Sequence, residues 1–229
     1  MNPKIKLSVA FLLIVIILLG YSLTRSPVVE TGDTVAVNIT LSINGVIVDT
    51  TIKDIAERVG IFEANKSYEP LVTVVGSGEL PIGLEETLLG MKQREIKIVE
   101  LPPEKAFGYW TEDYIQWISR EDFIKEFGLQ PEEGKRVAGR GQSFLIRKIT
   151  EDRVLIDFNH PFAADPELVI PMSLEEFLGE IGTEPVLGMT IKDSLGRTAR
   201  VVKIEEMQVF LDFNPLYVFK IEIVSIKKS

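Results

Sequence analysis

The stretch "VVGSGELPIGLEETLLGM", Val74 to Met91, decides the fold. It opens as the end of an apolar strand, "LVTVV", and runs into a turn carrying Gly76 and Gly78. Leu84, Leu88 and Met91 then recur at the spacing that gives a short helix one buried face, with Gly90 near its C-terminal end. The turn is not a phosphate-binding loop, because no Gly-Lys-Ser/Thr closes it and its glycines miss the dinucleotide spacing.

Upstream, "DTVAVNITLSINGVIVDTT" places Val35, Val37, Ile39 and Leu41 on one face of a strand. Asn44-Gly45 supplies a tight hairpin turn, and "VIVDTT" is the return strand. "IKDIAERVG" has helical spacing at Ile52, Ile55, Ala56 and Val59 and stops at Gly60. Downstream, "REIKIVELPPEKAFGYW" alternates at Ile96 and Ile98 until Pro102-Pro103 ends the strand. Together these elements predict a twisted antiparallel sheet with one helix packed on it.

The whole chain has 229 residues, a formal charge of −9, no cysteine and one histidine, His160. Thiol chemistry, disulfides and a multi-histidine metal site are excluded, and no cofactor is implied. The acidic balance, without a basic stripe, argues against a nucleic-acid partner. At the N-terminus, Leu7 to Leu23 carries no charge and Phe11 to Leu19 is wholly apolar. At about 1.5 Å per residue such a run just crosses a ~30 Å hydrocarbon layer. It is long for a signal peptide, and no small-x-small cleavage site stands out near Gly20 to Ser26, so a membrane anchor over residues 1–26 is expected ahead of a cleaved signal. Lys4 and Lys6 precede it, which puts the globular part outside a single-pass cell-membrane protein.

The C-terminal half repeats itself. "ISREDFIKEFGLQPEEGKRV" aligns with "MSLEEFLGEIGTEPVLGMTI": Ser119 matches Ser173, Phe123 matches Phe177, and Gly128, Pro131 and Gly134 match Gly182, Pro185 and Gly188. After a one-residue slip, Asp157-Phe158-Asn159 matches Asp212-Phe213-Asn214. Each copy reads as a capped helix, a Pro-Gly turn and two or three strands. Two copies are too few for a solenoid and predict a pair of small lobes. Phe123 is expected in a lobe core, Trp117 in core or contact surface, and His160 as a turn-stabilising donor rather than a catalyst.

In order and spacing, "VDTT", "VVGSGELPIGLEETLLGM" and "LPPEKAFGYW" resemble the FKBP-type peptidyl-prolyl isomerases. "QWISREDFIKEFGLQPEEGKRV…VLIDFNHPFA" resembles the insert-in-flap lobe of the SlyD-like branch, with archaeal long-type members the nearest analogy. The resemblance implies an α+β fold: an FKBP-like antiparallel half-barrel with one packed helix, residues 30–110 and 216–229, closed by the strand in "PLYVFKIEIVSIKK". Two small insert-in-flap lobes, 111–165 and 166–215, interrupt it, and the N-terminal transmembrane helix precedes it.

The resemblance also implies the site. Asp49 takes the place of the family's near-constant acid, with Val48 beside it as a wall. Leu71 is a second wall residue and Leu84 the pocket floor. Leu80 and Pro81 stand where backbone meets bound peptide, Phe107 in "AFG" replaces the family tyrosine, and Phe219 is the closing-strand aromatic. A first-strand tyrosine appears as Asn38. The implied function is prolyl cis–trans isomerisation of unfolded or proline-containing polypeptides, slowed by the missing hydroxyls, with the lobes binding clients. A holdase chaperone with a weak or inactive isomerase site is the alternative.

Overall fold

A computed structural model describes residues 27–139 and 142–229 of the chain. They form two compact units, one running to Val99 and resuming at Val218, the other spanning Glu100–Tyr217.

The first unit is built on a five-stranded sheet. Strand β1 (Thr34–Ile43) pairs antiparallel with β2 (Val46–Thr50) and, at its other end, with β3 (Leu71–Val74). The order continues from β1 to the C-terminal strand β13 (Tyr217–Lys227) and then to β4 (Ile96–Leu101). Between β1 and β2, Asn44 and Gly45 take φ of 52° and 76°, the pair of positive angles that a two-residue turn needs to match strand twist. Helix α1 (Lys53–Val59) and helix α2 (Ile82–Leu88) complete the unit.

The core gathers Val35, Val37 and Leu41 of β1, Leu84 and Leu88 of α2, and Phe219, Ile221 and Ile223 of β13. Burial of each such side chain contributes roughly 1.5–3 kcal/mol. Met91 is buried as its spacing predicts. Two periodic stretches leave apolar residues uncovered. In α1 only Ala56 is buried, and Val59 is exposed. In β4, Ile96 and Ile98 point to solvent, so the alternation identifies the strand but not its buried face.

The expected fold class needs correction. The membrane helix at 1–26 lies outside the described residues. Among the described residues no helix is long and apolar enough to cross a membrane. Spanning takes about 20 residues, whereas the longest described helices have 8. The fold is therefore α+β without a described transmembrane element, and it carries two helices beside the first sheet rather than one.

The second unit contains both copies of the repeat. In the first, β5 (Ile115–Ser119), α3 (Arg120–Phe127), β6 (Arg136–Gly139), β7 (Gln142–Ile149) and β8 (Arg153–Asp157) give a sheet ordered β5-β8-β7-β6. In the second, β9 (Val169–Ser173), α4 (Leu174–Ile181), β10 (Thr190–Lys192), β11 (Thr198–Ile204) and β12 (Gln208–Asp212) give β9-β12-β11-β10. Even the irregularities repeat, with a bulge between Ile146 and Lys148 in one lobe and between Val201 and Lys203 in the other. The one-residue slip falls between Val137/Ile191 and Phe144/Ala199, between strands β6 and β7 of the first lobe and β10 and β11 of the second.

Each helix is fastened by one fully buried phenylalanine, Phe123 or Phe177, and capped by Ser119 or Ser173. Between the lobes, "PFAADPELVIP" adds no strand to the five-stranded sheet. It returns to its own unit's entry segment: Trp110 N donates to Ala164 O and Ala164 N to Gly108 O, both at 2.9 Å.

Candidate functional site

Strand β2 carries Val48 and Asp49, both half-buried. Asp49 lies opposite Leu41, where the β1–β2 register shifts. Its Oδ1 accepts the Thr50 N–H at 2.7 Å and the Lys66 ammonium. Lys66 also sits 5.5 Å over the ring of Tyr68, which stacks on Phe62 at 5.4 Å. The acid is thus held at the surface by a lysine from the loop after α1, a partner that nothing in the sequence flagged.

Leu71 opens β3 opposite Val37 and is 42% exposed. The glycine turn that follows is closed by Thr73 Oγ1 donating to Glu79 Oε2 at 2.8 Å and Gly78 N donating to Glu85 Oε1 at 2.9 Å. Any side chain at Gly76, whose φ is +89°, would bring a Cβ within 2.9 Å of Thr31 Cγ2. This turn delivers half-buried Leu80 and Pro81 to the start of α2, where Pro81 O accepts from Leu84 N and Glu85 N. Leu84 and Phe219 are almost fully buried. Asn38 spends its amide on the sheet, donating to Glu222 at 3.2 Å and accepting from Thr51 Oγ1 at 3.4 Å.

Phe107 belongs to the second unit. Its ring lies flat on His160, with centroids 4.0 Å apart and planes 6° from parallel. It also meets Phe162 at 5.7 Å and the edge of Tyr217 at 5.2 Å. The Tyr217 hydroxyl donates to Phe162 O. His160 Nδ1 accepts the Phe162 N–H at 3.1 Å, so the histidine stabilises its turn as an acceptor, not as the donor expected. Phe162 and Tyr217 were not singled out from sequence. Their only signal is an aromatic close behind each proline of the repeated phrase.

The phrase Asp-Phe-Asn has a structural role in both lobes. Asn159 donates through Nδ2 to Thr111 O and accepts from Thr111 N, both at 2.9 Å. Asn214 makes the same two bonds with Asp165, at 2.8 and 2.9 Å. The preceding aspartates, Asp157 and Asp212, each take the asparagine backbone N–H and Nδ2 on Oδ1. Each lobe is thereby clasped shut at its neck, where entering and leaving strands meet. Asp157 Oδ2 faces Arg147 at 3.2 Å, whereas Asp212 Oδ2 accepts the Tyr109 hydroxyl at 2.6 Å and faces Arg200 at 3.4 Å.

Residues 26–116 match the FKBP-type peptidyl-prolyl cis-trans isomerase family. A short-type peptidyl-prolyl cis-trans isomerase of Methanocaldococcus jannaschii is 38% identical over 135 residues, covering 59% of this chain and 85% of that protein. The chain belongs to the FKBP-type peptidyl-prolyl isomerases. SlyD of Helicobacter pylori is 29% identical over 108 residues, covering 45% of this chain and 57% of its own. The FKBP-type 16 kDa isomerase of Escherichia coli K12 is 35% identical over 100 residues, covering 42% and 66%. The isomerase family match ends within β5, so α3, the second lobe and β13 lie beyond it. As an FKBP-type isomerase, the protein catalyses cis–trans rotation about X-Pro bonds.

Proposed function

We propose that the isomerase works through an apolar wall of Val48, Leu71, Leu80, Pro81, Leu84 and Phe219 with Asp49 as its acid, that Phe107 meets the substrate, and that the two lobes bind unfolded clients. The observation that carries the reading is the composition of the site residues in the first unit. They are apolar except for one carboxylate, and no nucleophile stands among them.

X-Pro rotation is slow because the amide must twist through a barrier near ~20 kcal/mol. Twisting removes amide resonance and leaves a less polar C–N bond. An apolar, water-poor surface therefore favours the twisted form over the planar one, and that difference lowers the barrier. A hydroxyl at position 107 would add one hydrogen bond to bound peptide, typically worth on the order of 1 kcal/mol, and Phe107 lacks it. Catalysis is slower for that loss but is not abolished.

Client binding by the lobes is supported by their exposed apolar side chains, among them Trp117, Val186, Leu187, Leu195 and Met207. A client held by a lobe raises the effective concentration of its prolyl bonds at the site. The test compares kcat/KM for an unfolded protein with kcat/KM for a proline tetrapeptide too short to be held by a lobe. Client capture gives the protein substrate an advantage of about tenfold or more. Equal values contradict capture. Leu71→Ser, at an exposed wall position, lowers tetrapeptide turnover at unchanged Tm if the wall is correctly placed.

A further inference from the structure

The second lobe differs from the first in what its clasp holds. Arg200 on β11 stands directly opposite Asp212 on β12. Its guanidinium makes a two-pronged contact with Glu104, at 2.6 and 2.8 Å, while Asp212 accepts the Tyr109 hydroxyl at 2.6 Å. Glu104 and Tyr109 lie on either side of Phe107 in the chain. Both ends of this six-residue step are thus fixed to one arginine–aspartate pair of the second lobe.

The step is also folded tightly on itself. Gly108 N donates to Pro103 O at 2.8 Å, and Ala106 N to the same oxygen at 3.0 Å. Little slack remains between the anchors, so displacement of Glu104 or Tyr109 must move the Phe107 ring on His160. The first lobe holds the step differently: its His160 and Phe162 pack on the Phe107 ring itself, while its Arg147 pairs with Asp157 and lies 5.5 Å over Trp110, the residue after Tyr109.

We propose that Glu104, Tyr109, Arg200 and Asp212 are positioning residues for isomerisation, through which the second lobe sets the placement of Phe107. The proposal rests on the reading that Phe107 meets the substrate. It assigns the second lobe a part in catalysis that is separate from client binding. Burial first, and then the Asp212 carboxylate, push the Tyr109 hydroxyl well above its ordinary range, so it remains a donor across physiological pH. Burial is the largest single influence and would raise the Glu104 carboxyl, but the Arg200 bond, a backbone bond and the charges of Arg200 and Lys105 together hold Glu104 below its ordinary value, charged for the pair.

The proline tetrapeptide separates the two roles, because it reports the site without the lobes' grip. Tyr109→Phe removes one hydroxyl, and Glu104→Gln removes one charge from an exposed position. In the full chain, each is expected to lower tetrapeptide kcat about threefold to tenfold with KM unchanged. Hydrogen exchange of the β11 and β12 amides should remain as in wild type, which shows the lobe still folded. Phe107→Ala is run beside them. If Phe107→Ala lowers kcat and neither flank variant does, the positioning role is overturned while the reading of Phe107 stands. If Phe107→Ala leaves kcat unchanged, the reading of Phe107 fails and the proposal falls with it.

Discussion

The two lobes share a topology, a bulge and a clasp, yet they solve the problem of filling a small core differently. The first packs rings: Phe123 meets Phe127 at 5.0 Å and Phe144 at 6.2 Å, and Phe158 closes on Phe144 at 5.4 Å. In the second, Ala199 stands where the first has Phe144, and the core that holds Phe177 is packed by Met172, Leu174, Ile181, Met189 and Phe213. The same backbone therefore accepts a core richer in rings or one richer in aliphatic and thioether side chains. What both copies keep is the Asp-Phe-Asn clasp at the neck, whose asparagine pairs with backbone 48 or 49 residues away.

The largest effect should come from emptying each core. Phe123→Ala and Phe177→Ala are each expected to destabilise their own lobe by about 3–5 kcal/mol. Phe123→Ala should cost more, because rings relax into a cavity less readily than thioethers do. Hydrogen exchange of β8 and β12 amides reads each lobe separately. A larger loss for Phe177→Ala would break the contrast.

Next come the clasps. Asn159→Ala strips both bonds from Thr111 at a buried position, 4% exposed, and is expected to cost roughly 2 kcal/mol. Asn214→Ala makes the same deletion at a half-exposed site and should cost less, as read by denaturant midpoints of the two variants. Equal losses would show that water does not replace the missing bonds at Asn214.

The smallest contrast lies at the helix caps. Ser119→Ala and Ser173→Ala should each lose about 1 kcal/mol. The second should lose more, because Ser173 and Glu176 form a reciprocal capping box. The Ser173 side-chain and backbone bonds lower the Glu176 carboxyl from its ordinary 4.5. A depressed folded value means that this stabilisation is complete above the unfolded value and disappears as pH falls through the folded one. Acidification below about pH 4.5 should therefore fray α4 through its cap, and Glu176→Gln should remove that part of the pH dependence.

Much of this was legible in local pattern. Alternation at Val35 and Val37, the Asn44-Gly45 turn and the Leu84/Leu88/Met91 spacing each encode an element within a few residues, and the repeat is visible as matched letters. What was hidden is non-local. The Asp-Phe-Asn phrase was visible, but its partners Thr111 and Asp165 lie 48 and 49 residues away. Lys66 reaches Asp49 across 17 residues, from a loop with no periodicity to announce it. Spacing in α1 and alternation in β4 located each element but not a buried face, because periodicity reports amphipathicity and not what covers it.

Prolyl isomerase activity is tested by proline-limited refolding of a model substrate in the presence of the full chain, with aggregation followed in the same samples. Wild type and Phe107→Tyr are run side by side. Wild type is expected to accelerate the slow phase, and Phe107→Tyr to accelerate it further, by up to about tenfold, as the hydroxyl's bond to bound peptide is restored. If neither protein changes the slow phase while both suppress aggregation, the site is not a working isomerase pocket and the lobes alone account for the activity.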